Sequence, residues 1–174
     1  MESARKVLLI LPSSIIFFLV VPIISLFFGR RLDILLGFSQ LEIGILGTLG
    51  SLVLMLIGGY YVVESIRILR VKGGGIPLGD VFPEEQSTEL ITAGVYSHTR
   101  NPMLFGYLLC LAALGIVMKS FSMTGIIPVT YILIWLIWLK TREEPALEAR
   151  FGESYRKYKA KTPFLIPRPW RKTG

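Results

Sequence analysis

A chain of 174 residues that is 52% hydrophobic, with a mean hydropathy of +0.60, is too apolar for an ordinary water-soluble domain and belongs in a bilayer. Its formal charge of +7 invites a nucleic-acid reading, but the basic residues flank apolar runs. Anionic lipid is therefore the partner they fit, and nucleic acid is set aside. Cys110, the single cysteine, lies inside an apolar run and His98 is the single histidine, so no disulfide and no metal site is expected.

Four apolar runs are long enough to matter: Val7–Phe28, Ile43–Val63, Met103–Met118 and Phe121–Leu139. A helix rises about 1.5 Å per residue and the hydrocarbon core is about 30 Å thick, so about 20 residues span it. The third run is short, but Asn101-Pro102 extends it, because proline fits the first helical turn. The reading is a single all-α domain over 1–174 with spans at 7–28, 43–63, 102–118 and 121–139. Val7–Phe28 follows Arg5 and Lys6 as a signal peptide would. It is longer than a usual apolar leader and lacks a small-x-small site before Arg30-Arg31, so it reads as a retained helix. With four spans, every one of the 19 basic residues except Arg30, Arg31 and Lys119 falls on one side. The positive-inside rule puts that side, with both termini, in the cytoplasm.

In the second run Gly44, Gly47, Gly50 and Ser51 recur at helical spacing, a small-residue face that lets a neighbouring span approach. Gly58-Gly59 and Tyr60-Tyr61 follow near the headgroup level. Residues 64–101 turn polar and read as a cytoplasmic loop. Within it, Lys72–Asp80 is too rich in glycine and proline for regular structure, and Pro83–Thr92 reads as a short interfacial turn of helix. The C-terminal region 141–174 places Leu147, Phe151, Tyr155 and Tyr158 at helical spacing, with Arg150, Arg156, Lys157, Lys159 and Lys161 between them. This is the pattern of one amphipathic interfacial helix from Thr141 to Lys161. Pro163, Pro167 and Pro169 keep the remainder extended, and Trp170 is an interface anchor.

Two polar clusters carry candidate chemistry. Gly94-Val-Tyr-Ser-His-Thr-Arg-Asn-Pro-Met103 abuts the third run, and Arg142-Glu143-Glu144-Pro145 follows the fourth. If the two runs fold back as an antiparallel hairpin, both clusters meet at one membrane face. Arg100 either snorkels to phosphate or pairs with an anion. Asn101-Pro102 is explained by Asn as N-cap and Pro at the first helical position. Pro145 should break or kink the helix, leaving Glu143 and Glu144 at a fresh N-terminus where Thr141 and Glu144 match a capping box. His98 titrates near neutrality, but nothing in the sequence orients it, and a solvated loop histidine is the plainer reading.

The pattern Gly94-Val-Tyr96-x-x-x-Arg100-Asn101-Pro102-Met, then Glu143-Glu144-x-x-Leu147-x-x-x-Phe151-Gly152-x-x-Tyr155-x-x-Tyr158, resembles the isoprenylcysteine carboxyl methyltransferase-like family. That group is similar to phospholipid N-methyltransferases, and both are integral membrane enzymes that use S-adenosylmethionine. The resemblance runs from about Gly73 to Pro167. It implies a methyl-donor pocket formed by the last two spans and the C-terminal helix, lined by Tyr96, Arg100, Asn101, Pro102, Tyr107, Glu143 and Glu144, with Arg100 and Glu144 carrying the chemistry. It also implies an amphipathic or lipid-linked methyl acceptor and no metal. Many members have His where this chain has Asn101, which keeps hydrogen bonding but cannot carry a proton. That departure points to the bacterial-type relatives and to a prokaryotic cell membrane. The residues agree with such chemistry: Arg100 can pair with a carboxylate bidentately, and a glutamate can accept from an ammonium or a ribose. Two rivals stand beside it. Membrane sterol reductases carry a similar Arg-His-Pro segment and bind a reduced nicotinamide cofactor, and a non-enzymatic scaffold would use the charges only as anchors. Oligomeric state is left open.

Overall fold

A backbone surrounded by lipid must satisfy its own hydrogen bonds, and helices are the simplest way for one chain to do so. The computed structural model describes residues 19–73 and 87–168, and among these every regular element is helical. In chain order they are α1 (Val21–Leu35), α2 (Ile45–Gly73), the single turn α3 (Val95–His98), α4 (Pro102–Val117), α5 (Ile127–Trp138), α6 (Glu144–Phe151) and α7 (Glu153–Lys161). Two π-turns, Ser122–Ile126 and Leu139–Glu143, join α5 to its neighbours and make Ser122–Phe151 one continuous helix of 30 residues.

Among the described residues, Ile45–Gly73 and Ser122–Phe151 are long and apolar enough to cross a membrane, and Pro102–Val117 is a shorter apolar helix. The two long helices turn most of their apolar side chains outward: Leu46 is 81% exposed and Ile137 63%. A water-soluble protein buries such faces, whereas lipid tails solvate them.

Several boundaries differ from the sequence reading. α1 does not stop at Phe28 but runs through Arg30-Arg31 to Leu35. It closes on Gly37 at φ +69°, with Phe38 N–H donating to the Asp33 carbonyl and Gly37 N–H to that of Ile34. This is a Schellman ending, and it lets the arginines stay helical. The beginning of the first run, 7–18, lies outside the described residues. α2 continues past Val63 to Gly73, because Glu64 and Arg67 pair one turn apart at 2.8 Å and nothing in that stretch breaks the helix. Most of the glycine-rich linker and the start of Pro83–Thr92 fall within 74–86, outside the described residues. From 87 to 92 the chain forms no helix, and Thr88 N–H returns to the Gly73 carbonyl at 3.0 Å.

The chain divides into two compact units within α2, α4 and α5: residues 1–57 with 108–133, and residues 58–107 with 134–174. In the first, α4 ends in a second Schellman turn, Lys119 N–H to Ile116 and Ser120 N–H to Gly115, with Lys119 itself at φ +54°. Gly115 lets the returning chain pass so closely that an added Cβ would lie 2.5 Å from the Thr124 nitrogen. Asp33 accepts the Ser122 N–H at 2.8 Å and so pins α1 to the turn. Gly44 and Gly50, expected to line a packed face, have no such neighbour among the described residues. Periodic glycines mark where approach is permitted, and only the fold selects where it happens. In the second unit the corresponding point is Gly106, where an added Cβ would lie 2.5 Å from the Gly58 carbonyl oxygen.

Candidate functional site

The site is built within the second unit. Pro102 opens α4 and is fully buried, which holds Arg100 and Asn101 immediately before the first helical turn. Thr99 is extended and wholly buried, so α3 and α4 are separate helices with Arg100 at their junction. Arg100 is only 12% exposed at its side chain. Its Nη1 pairs with Glu144 Oε1, its Nε donates to the Thr162 carbonyl at 3.2 Å, and it also reaches the Tyr155 hydroxyl. The guanidinium lies 5.5 Å from the centre of the Phe164 ring. Arg100 is thus not snorkelling to a lipid phosphate. Its counter-ion is a carboxylate of its own chain.

Glu144 is clasped on both oxygens. Oε1 takes Arg100, and Oε2 takes Lys159 Nζ at 2.8 Å. The capping box does not form. Thr141 Oγ1 donates back to the Ile137 carbonyl, and Glu144 accepts no capping hydrogen bond. Nor does Pro145 break the helix. Its missing N–H and bulky ring are accommodated by the π-turn Leu139–Glu143, in which Glu144 N–H reaches the Leu139 carbonyl. One extra residue in a turn rotates everything after it by about 100° relative to a plain α-helix. That rotation brings Glu144 onto Arg100.

Glu143 is half-buried one position earlier, and its charge reaches the Tyr96 hydroxyl. Burial first, and Glu143 second, hold Tyr96 above the ordinary tyrosine range. Burial and then the Glu144 charge push Tyr155 up to about 12, against the opposing pull of Arg100. The expected single amphipathic helix is in fact two, α6 and α7, parted at Gly152 with φ +53° and ψ −128°, a region essentially reserved for glycine. Its tyrosines face protein: Tyr155 is 2% exposed, and Tyr158 donates to the Tyr96 carbonyl at 2.7 Å.

The family model for phospholipid methyltransferase matches residues 46–154, more than half of the chain. The chain belongs to the phospholipid methyltransferase family. It is accordingly a membrane methyltransferase. None of the curated proteins matches it.

For this phospholipid methyltransferase family member, Arg100 and Glu144 are brought into direct contact, and Glu143 lies beside Tyr96. Asn101 holds the N-cap position, since Phe105 N–H bonds its carbonyl, but its side chain turns away and donates to the Phe164 carbonyl at 2.8 Å. Tyr107 is buried, five residues into α4 and so about 7.5 Å along the axis from Pro102. His98 is not merely solvated: its Nδ1 lies 3.2 Å from the Tyr61 hydroxyl. Lys159, read as an outward basic position, and Thr162 and Phe164, past the last helix, were not singled out by the sequence. Tyr155 and Tyr158 carried a signal in their helical spacing, whereas the carbonyls that Thr162 and Phe164 supply carry none. Among the described residues no group of three His, Cys, Asp or Glu side chains could hold a metal ion.

Proposed function

We propose that this protein is a four-span, S-adenosylmethionine-dependent methyltransferase with both termini in the cytoplasm, acting on an amphipathic or lipid-linked acceptor. The observation that carries this reading is the buried Arg100–Glu144 pair with Glu143 and Tyr96 beside it. S-adenosylmethionine, as the family implies, supplies an electrophilic methyl group on a sulfonium, next to an amino-acid zwitterion. The residues fit such a group: one fixed guanidinium for a carboxylate, and carboxylates for an ammonium or a ribose. Glu144, held on both sides, orients Arg100, while Glu143 and Tyr96 offer an acceptor and a hydroxyl at the same place. Pro102 and Tyr107 complete the wall, while the Asn101 side chain, turned to the Phe164 carbonyl, supports Arg100 rather than the ligand.

Low exposure strengthens these interactions by excluding water, and orientation provides much of the remaining rate gain. A carboxylate acceptor of the isoprenylcysteine type needs no proton removed, which suits a site without an evident base. The family match favours a second acceptor, a phospholipid amine. An amine must shed a proton before attack, and Glu143 or His98 is the group that would hold it. Calorimetric titration of S-adenosylhomocysteine into the purified protein tests the donor, and labelled methyl transfer into a lipid extract or a prenylcysteine analogue separates the acceptors. Binding of a reduced nicotinamide cofactor and not of S-adenosylhomocysteine would overturn the reading.

A further inference from the structure

The tail beyond α7 is tied to the motif segment by more bonds than an extended end requires. Arg100 N–H donates to the Pro163 carbonyl at 2.9 Å, and Arg168 N–H to that of His98 at 3.2 Å, so the two strands of chain run antiparallel. Two side-chain donors converge on a single acceptor: Thr99 Oγ1 at 3.1 Å and Asn101 Nδ2 at 2.8 Å both bond the Phe164 carbonyl. The Phe164 ring is thereby held between two cations, 5.5 Å from the Arg100 guanidinium and 5.6 Å from the Lys140 ammonium. Arg100 Nε donates to Thr162 of the same segment at 3.2 Å. This tail lies beyond the residues matched by the family model.

We propose that Thr162–Arg168 is a strap that fixes Arg100 from behind, and that Thr99 and Asn101 are positioning residues acting through the Phe164 carbonyl. Arg100 then has Glu144 on one edge, Thr162 on another and the Phe164 ring against its face, so its orientation is set before any ligand arrives. Pre-organisation of this kind removes an ordering cost from binding. The consequence for the donor rests on the function proposed above, whereas the strap itself does not.

The test uses the full chain in lipid nanodiscs, with hydrogen exchange over 98–101 and 162–168 read alongside S-adenosylhomocysteine titration. Thr99→Val and Asn101→Ala each remove one donor, and each should speed exchange of the strap about three- to tenfold and weaken S-adenosylhomocysteine by a similar factor. Thr99→Ser restores the hydroxyl, and Asn101→His places Nδ1 where the amide nitrogen stood, so both should recover exchange and affinity. Phe164→Leu keeps the carbonyl, and should leave exchange unchanged while weakening the ligand. Unchanged exchange in Thr99→Val and Asn101→Ala overturns the strap. Faster exchange with unaltered affinity overturns the positioning role. A wild-type protein that binds no S-adenosylhomocysteine refutes the donor assignment, and exchange still decides the strap.

Discussion

Glu144 offers the most direct test of the site, because its two oxygens answer to two different cations. The Arg100 and Glu144 side chains are 12% and 10% exposed, so their pair falls in the buried regime, where removing one partner costs about 3–5 kcal/mol. Lys159 is 38% exposed, and its arm of the network belongs with surface pairs worth about 0–1 kcal/mol. Glu144→Ala should therefore destabilise the protein by about 3–5 kcal/mol, and Lys159→Met by less than about 1 kcal/mol. Much of the larger loss is the penalty of leaving Arg100 buried and uncompensated. Removing Arg100 as well should relieve it, so Arg100→Met combined with Glu144→Ala should cost less than the two single changes together, by about 2 kcal/mol or more. The assay is reversible unfolding in mixed micelles on all four members of the cycle. Additivity within about 0.5 kcal/mol would show the pair to be uncoupled and would remove the basis for calling Arg100 fixed.

Four further outcomes follow from the same geometry. Gly152→Ala meets no atom within 4 Å, so its expected loss of about 1–3 kcal/mol is backbone strain alone, and unaltered unfolding would contradict the φ of +53°. Lys119→Gly should stabilise the α4 turn by about 0.5–1 kcal/mol in the same assay, since lysine there sits at φ +54°, and a loss of stability would count against that turn. Tyr155 ionises near 10.0 when unfolded but only at about 12 when folded, so the unfolded state releases protons first and stability should fall as pH rises from 10 to 12. Tyr155→Phe should flatten that fall by up to about 2–3 kcal/mol, with Tyr96 and Tyr158 retaining their own shares, and an unchanged alkaline profile would refute it. Arg100→Lys keeps the charge and loses the planar fork, so kcat/KM should drop roughly ten- to hundredfold, whereas full activity would make Arg100 a mere anchor.

Composition and run length alone determine that this chain is helical and faces lipid, because about 20 apolar residues have no other way to satisfy their backbone in a bilayer. The start of α4 is legible in Asn101-Pro102, since proline fits the first helical turn and asparagine the N-cap before it. The meeting of Arg100 with a glutamate of the Glu143-Glu144 pair is legible too, because a short hairpin leaves its two ends few places to be. The sequence reading favours Glu144 over Glu143, but why Glu144 is the one that meets Arg100 is visible only in three dimensions. Pro145 could have broken the helix, and instead a π-turn absorbed it and rotated Glu144 inward. On the glycine-spaced face of α2, Ser51 is buried while Gly44 and Gly50 meet no neighbour among the described residues, and the close approaches fall at Gly106 and Gly115. Thr162 and Phe164 accept hydrogen bonds through backbone carbonyls, which every residue possesses, so no residue type could announce those bonds, and the Phe164 ring meets Arg100 only because the tail folds back. Side-chain chemistry and spacing are written in the sequence, whereas the register of a turn and the path of a tail depend on contacts between residues far apart along it.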